Sequence, residues 1–386
     1  MIETKQYGNG SAFKLIVLPI EFGLGEEEFE MPYKLLLSEE ITPAVRRIAL
    51  EQLKRARRSI SSERNMQTGV HDARKNFKRL RALMRLSKPI LGKRLYRAEN
   101  NKFRDMGRVL AKPRSRAALL DILQKFSHRA DMKPLKPLFH VLQEKIELEK
   151  NRYESKLEIL AVGGFVERLD ESINHWQGMT LPDAQFSDLS HGFATSYERA
   201  RLSLEVAIKE ANSFYLHEWR KDMQQTWRHM QIFTLIWPED IMPRIRLARE
   251  ISLLLGTAHD IDELLRYIKI HKKEIVKSKR MKGSLKAFRR AATVTERDLC
   301  LHAIERGRRL YALRSSEIEQ AMIVYWQTAK AIQPLPSIAL ELGMDSGAVE
   351  DLKRGVNGGG RSSGLGPRHR RAAGRQNLYP GTSKGR

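Results

Sequence analysis

The chain has 386 residues, of which 70 are Lys or Arg and 46 are Asp or Glu, so its formal net charge is +24. Its single cysteine, Cys300, excludes an intrachain disulfide and a cysteine-based metal cluster. No apolar run reaches the ~20 residues of a membrane span, and the N-terminus lacks a secretory-signal pattern, so we expect a cytoplasmic protein with a polyanionic partner.

Composition divides the chain into three segments. Residues 1–30 hold six Glu and two Lys and are predicted to form a loosely ordered N-terminal extension. Residues 31–335 carry the helical patterns and read as the folded body. Residues 336–386 form a C-terminal segment that ends in a Gly- and Arg-rich stretch, which is typical of a disordered basic tail.

The body is predicted to be all-α, because apolar residues recur at intervals of three and four and no stretch after residue 31 alternates with a period of two. Thr42 and Pro43 are predicted as the N-cap and first residue of the first helix. Gly92 marks a turn, and residues 177–190 form the main loop. The later predicted helices span 70–88, 94–110, 114–125, 138–160, 165–176, 191–211, 214–236, 242–255, 260–271, 285–313 and 316–332.

The stretch 70–86 carries two neighbouring rows of side chains. One row is apolar and predicts a buried seam: Val70, Ala73, Phe77, Leu80 and Met84. The second row is basic, with two further cations beside it: His71, Arg74, Lys78, Arg81 and Arg85, flanked by Lys75 and Arg79. Stacked like charges destabilise a helix, and a solvated face normally mixes both signs. The row is about 21 Å long, so we expect an extended anion along it.

An internal repeat follows 146 residues later. Leu216–Lys221 matches Val70–Lys75 position by position, which predicts two similar helical halves of about 145 residues, at 31–160 and 190–335. The second copy keeps His217, Arg220 and Lys221 but continues with Gln224 and Trp227. We therefore expect binding to be weighted towards the first half.

The spacing H-x-x-R-K-x-x-K-R-x-R at 71–81, followed by a second H-x-x-R-K at 217–221, resembles the CHAD family of histidine-containing α-helical domains. The resemblance includes MPYKL at 31–35 and RRIALEQLKRA at 46–56 and extends to about residue 335. In place of the family's Arg-Asp pair, this chain has Arg114-Ser115 and His259-Asp260.

The resemblance implies two pseudo-symmetric helical bundles around a basic central groove or pore. It also implies binding of inorganic polyphosphate rather than chemistry on it. We further expect no cofactor, no metal and a cytoplasmic protein associated with polyphosphate granules. The candidate binding residues are His71, Arg74, Lys75, Lys78, Arg79, Arg81, Arg85, His217, Arg220, Lys221, Arg46 and Arg114.

Two other functions stay open at this point. His71-Asp72 and His259-Asp260 have the dipeptide of HD-type metal-dependent phosphohydrolases, although such a site needs further converging ligands and the cations around His71 oppose a divalent ion. Non-specific RNA or DNA binding is the second alternative, with the basic tail as a further contact. The basic row has no interleaved aromatic residues on which bases could stack.

Overall fold

The structure, a computed structural model, describes residues 33–61, 66–110, 114–160 and 163–332. Within these ranges the chain forms twelve α-helices and one 3-10 helix and has no strand, so the all-α prediction is confirmed. Both terminal segments predicted from composition, 1–30 and 336–386, lie outside the described residues. The helices are α1 (Ile41–Ser61), α2 (Met66–Leu86), α3 (Lys88–Val109), α4 (Arg114–Ser127), the 3-10 helix (Ala130–Leu135), α5 (Lys136–Leu160), α6 (Gly163–Gly178), α7 (Phe186–Glu210), α8 (Ser213–Ile232), α9 (Pro238–Ile270), α10 (Lys272–Ile275), α11 (Lys279–Leu310) and α12 (Ser315–Ile332).

The helices as far as Ala329 belong to one compact unit. The chain from Lys330 onward belongs to a second unit, of which only the last residues of α12 are described. No helix in the described ranges is long and apolar enough to cross a membrane. The predicted boundary near residue 335 stays a prediction.

Several predicted helix ends differ from the structure. The predicted loop 177–190 is shorter, because α6 ends at Gly178 and α7 already begins at Phe186, and α11 begins at Lys279, six residues before its predicted start.

Two further predicted ends are wrong. Thr42 is not an N-cap, because α1 already begins at Ile41 and the Thr42 hydroxyl donates to the carbonyl of Pro182 at 2.7 Å. The predicted helices 242–255 and 260–271 are one continuous helix, α9. A glycine inside a helix costs only about 1 kcal/mol, so Gly256 does not end α9. A Cβ at Gly256 would lie 3.1 Å from Nη2 of Arg220, so the glycine leaves room for that guanidinium.

The predicted turn at Gly92 is present, but it lies inside a helix. Helix α3 starts at Lys88 with Pro89 in its first turn, and Gly92 has φ 69°, which kinks the helix one turn later. A positive φ of this kind suits glycine because it has no Cβ.

The helix bounds support the predicted repeat. Adding 146 to the bounds of α1, α2 and α5 gives 187–207, 212–232 and 282–306. Helices α7, α8 and α11 span Phe186–Glu210, Ser213–Ile232 and Lys279–Leu310. The repeat itself stays a prediction, and this agreement of helix positions is what supports it.

Helix α2 lies where the two predicted halves meet. It packs against α1 and α3 from its own half and against α7 and α8 from the other. Its predicted seam is buried apart from Val70, which is half-buried. A ring nitrogen of His229 in α8 lies 2.9 Å from the carbonyl oxygen of Ala82. At the end of α2, Gly192 of α7 sits so close that a Cβ there would lie 1.9 Å from the carbonyl oxygen of Leu86.

Candidate functional site

Four cations from two helices form the centre of the candidate site. The amine of Lys78 in α2 is repelled by three arginine side chains: Arg74 of α2, and Arg220 and Arg228 of α8. We call these four residues the α2–α8 cluster. Desolvation, followed by the three arginines, lowers the pKa of Lys78 to about 7, although its side chain is exposed. Within the described ranges, the charged groups that act on this amine are arginines, so the fold brings together charges that repel.

Two members of the α2–α8 cluster, Arg74 and Arg220, have similar surroundings. Arg74 is half-buried and its Nη1 donates to the carbonyl of Leu110 at the end of α3, at 3.1 Å. Arg220 is half-buried beside Gly256 of α9. Burial lowers the pKa of both guanidinium groups, and the attraction of Asp260 partly offsets this for Arg220. The Nε of Arg220 is buried and has no hydrogen-bond partner among the described residues.

Arg228 was not among the residues predicted from the sequence. It is buried, its Nη1 donates to the Gln224 carbonyl at 2.6 Å, and its guanidinium lies 5.5 Å from the centre of the Trp227 ring. The repeat could not reveal it, because the residue 146 positions earlier is Ala82. The only signal in the sequence was that Arg228 is a cation next to Trp227, in the second copy of the basic row, which has lost most of its charges.

The C-terminal part of the basic row makes different contacts. Arg81 donates from Nε to Asn100 Oδ1 of α3 at 3.2 Å. Burial is the main cause that lowers the pKa of Arg81, and among the neighbouring cations Arg85 lowers it most. Arg85 has a carboxylate partner: its Nη1 lies 3.8 Å from Asp222, which Arg199 also contacts at 3.0 Å. The row that looked uniform in sequence is therefore divided between the residues of the α2–α8 cluster and the pair Arg81 and Arg85, which contact Asn100 and Asp222.

Two predicted residues hold other parts of the chain. Arg46 of α1 donates from Nη2 to the carbonyl of Met179 at 2.6 Å, in the loop before α7. The guanidinium of Arg79 lies 5.3 Å from the centre of the Tyr33 ring, and the Tyr33 hydroxyl donates to the Arg79 carbonyl at 3.0 Å. These contacts give both arginines a structural role alongside any contact with a ligand.

The other predicted cations differ in how far they are available. Lys75 is exposed, and His71 is half-buried. Lys221 is exposed and forms an ion pair with Glu218. Arg114 belongs to α4 by its backbone, but its side chain lies outside the described residues.

His217 lies next to His259, and this pair is not a metal site as it stands. The two ring centres are 4.5 Å apart, and Nδ1 of His217 is buried without a hydrogen-bond partner in the described ranges. Burial, followed by repulsion from His259, Lys221 and Arg220, lowers the pKa of His217 to about 4, so its ring is neutral at pH 7. Asp262 lines the same small pocket. Among the described residues, no group of three or more His, Cys, Asp or Glu side chains is placed to hold a metal ion.

Comparison with known proteins identifies one family. The family model described as CHAD domain matches residues 44–268, which is more than half of the chain. The matched range runs from α1 to α9 and includes every predicted binding residue and the whole α2–α8 cluster. No curated protein matches the chain.

Proposed function

The chain belongs to the CHAD family, and from this premise we propose that it binds inorganic polyphosphate without catalysing a reaction on it. The observation that carries the proposal is the α2–α8 cluster. Lys78 lies among Arg74, Arg220 and Arg228, and these charged groups, which act on its amine within the described part of the chain, are all positive. A flexible chain of phosphates is suited to such a cluster because Lys and Arg contact phosphoryl oxygens through charge-assisted hydrogen bonds.

The side chain of Lys78 is open to water, so its amine is accessible to a ligand. Desolvation is the largest cause of its lowered pKa, and the three neighbouring arginines lower it further. A bound phosphate offsets both effects, because a nearby opposite charge favours the protonated amine.

The contacts that we propose follow from the donors. Lys78 supplies its amine, and Arg220 supplies an Nε that has no partner in the described part of the chain. His217 is neutral at pH 7 and contributes a hydrogen bond without a charge. His71, Arg74 and Lys75 extend the contact along α2, so the first half supplies more donors than the second.

As functions of the α2–α8 cluster, the two alternatives have less support. An HD-type hydrolase needs a convergent set of metal ligands, and the described ranges bring His259 beside His217 without completing one. Single-stranded nucleic acid needs exposed aromatic rings between the cations, and the Trp227 ring that lies near Arg228 is only partly exposed. We therefore propose a non-enzymatic polyphosphate binder of the cytoplasm, associated with polyphosphate granules.

A competition experiment tests the proposal. Labelled long-chain polyphosphate is bound to the full chain and challenged with single-stranded RNA at equal phosphate concentration. We expect unlabelled polyphosphate to displace the label at least tenfold more effectively than RNA does. Equal displacement by RNA would contradict the assignment of polyphosphate as the ligand.

The affinity for polyphosphate is expected to depend on pH through Lys78. In the free protein its pKa is about 7, and a bound polyanion raises that pKa. Binding above pH 7 therefore takes up a proton, and the association constant falls as pH rises from 7 to 9, by up to about tenfold per unit. Isothermal titration at pH 6, 7, 8 and 9 measures this. In Lys78→Gln the decline should disappear; an identical decline there would contradict the role of Lys78.

A further inference from the structure

A second cationic surface lies outside the α2–α8 cluster. Residues 269–290, which cover the end of α9, all of α10 and the start of α11, contain seven Lys and three Arg and one acid, Glu274. Glu274 already pairs with Lys145 and lies near His271. All ten cations are exposed, and none contacts a carboxylate among the described residues. They are Lys269, Lys272, Lys273, Lys277, Lys279, Arg280, Lys282, Lys286, Arg289 and Arg290.

Half of these cations form one row on α11. Lys279, Lys282, Lys286 and Arg289 follow one another at intervals of three and four, and Arg290 lies four residues after Lys286, so all five share a face of the helix. The opposite side is buried through Leu285, Phe288 and Ala292. Each pair of like charges at these spacings destabilises the helix by about 0.2–0.5 kcal/mol. The row therefore lowers helix stability, and an anion that lies along it reverses that effect.

We infer that the surface formed by residues 269–290 binds the phosphate backbone of double-stranded nucleic acid without sequence preference. The row on α11 is about 17 Å long at 1.5 Å per residue. A duplex carries one phosphate charge per ~1.7 Å of its axis, so about ten phosphates from both strands lie within that length. The cations are exposed on a surface, in contrast to the buried and half-buried arginines near Lys78. Long-range attraction to a rigid polyanion requires only such exposure.

Two features favour a duplex over single-stranded nucleic acid and over a membrane surface. The only aromatic rings between 269 and 290 are His271 and the buried Phe288, so unpaired bases find no exposed Phe, Tyr or Trp to stack on. Ile270 is the one fully exposed large apolar side chain there, whereas a helix that lies in a membrane surface presents a row of them. This inference does not depend on polyphosphate binding at the α2–α8 cluster.

The test uses the salt dependence of binding. The full-length triple variant Lys279→Gln/Lys282→Gln/Lys286→Gln is titrated with a mixed-sequence DNA duplex between 50 and 300 mM KCl. Each phosphate contact contributes about −0.9 to the slope of log K against log salt concentration. We expect the slope to become shallower by about 2.7, which lowers the affinity at 0.1 M salt about 500-fold if the affinity at 1 M salt is unchanged. All three residues are exposed, so circular dichroism should be unchanged.

The matched control removes the same charge elsewhere. Lys93→Gln/Arg94→Gln/Arg97→Gln changes three exposed cations of α3, and we expect its slope to change by less than one. Equal slopes for the two variants would overturn the inference, because net charge would then explain both.

Two further ligands separate the sources of phosphate. The α11 variant should keep its affinity for long-chain polyphosphate and for vesicles that contain phosphatidylserine to within threefold. If either affinity falls as much as the affinity for DNA, the surface is not a nucleic-acid surface and the inference fails. Because the α11 variant leaves Lys78 and Arg220 intact, this outcome is independent of whether the α2–α8 cluster binds polyphosphate.

Discussion

The double variant Lys78→Gln/Arg220→Gln is expected to bind polyphosphate about 100-fold more weakly than the wild type while melting at the same temperature or higher. Each substitution removes a charge-assisted hydrogen bond to a phosphate, worth about 1.5 kcal/mol. Two such losses total about 3 kcal/mol, and each 1.4 kcal/mol is a factor of ten in affinity. Fluorescence anisotropy with labelled polyphosphate measures the affinity, and differential scanning calorimetry measures the melting temperature.

The expected gain in stability follows from the direction of the pKa shifts. The pKa values of Lys78 and Arg220 are lowered in the folded protein. The fold therefore disfavours both charges, at every pH below the pKa that each group has in the unfolded chain. A neutral side chain relieves that cost. A variant that lost its affinity through misfolding would instead melt at a lower temperature.

The matched control for this experiment is Lys93→Gln/Arg94→Gln, which removes two exposed charges from α3. We expect its affinity for polyphosphate to stay within threefold of the wild type. If the control loses as much affinity as the cluster variant, then net charge accounts for binding and the proposed site is wrong.

Gly192→Ala is expected to lower the melting temperature by about 6 °C or more. Gly192 is a buried residue of α7, and a Cβ there would lie 1.9 Å from the carbonyl oxygen and 2.8 Å from the carbonyl carbon of Leu86. Both atoms are backbone, so the clash is relieved only when α7 moves away from the end of α2. Overpacking of this kind costs about 3 kcal/mol, and in a protein of this size 1 kcal/mol corresponds to about 2 °C.

A second glycine inside a helix provides the comparison. A Cβ at Gly283 of α11 would meet nothing within 4 Å. Gly283→Ala should therefore stabilise the protein by about 0.5–1 kcal/mol, because alanine loses less conformational entropy in a helix. If thermal unfolding shows the same sign for both variants, the close approach of α7 to α2 is not what Gly192 provides.

Local pattern was sufficient to predict the class of fold and the position of the central helix. The seam of α2, with Ala73, Phe77, Leu80 and Met84, is buried as its spacing predicted, because a helix that packs on one side must repeat its apolar residues every three or four positions. The same reasoning failed at helix ends. Thr42 and Gly256 have the residue types of helix termini, but tertiary contacts use the first as a donor to Pro182 and the second to accommodate Arg220.

The sequence by itself determined the basic row on α2, its partial copy at 217–221 and the family to which they point. Only the tertiary structure decided how the row is divided. It places Lys78 among Arg74, Arg220 and Arg228, and it gives Arg85 the carboxylate of Asp222. The spacing of charges along one helix is a local property, whereas several of the charges that surround each of them come from another helix. Arg228 illustrates this, since it joins Lys78 from 150 residues away through the packing of α8 against α2.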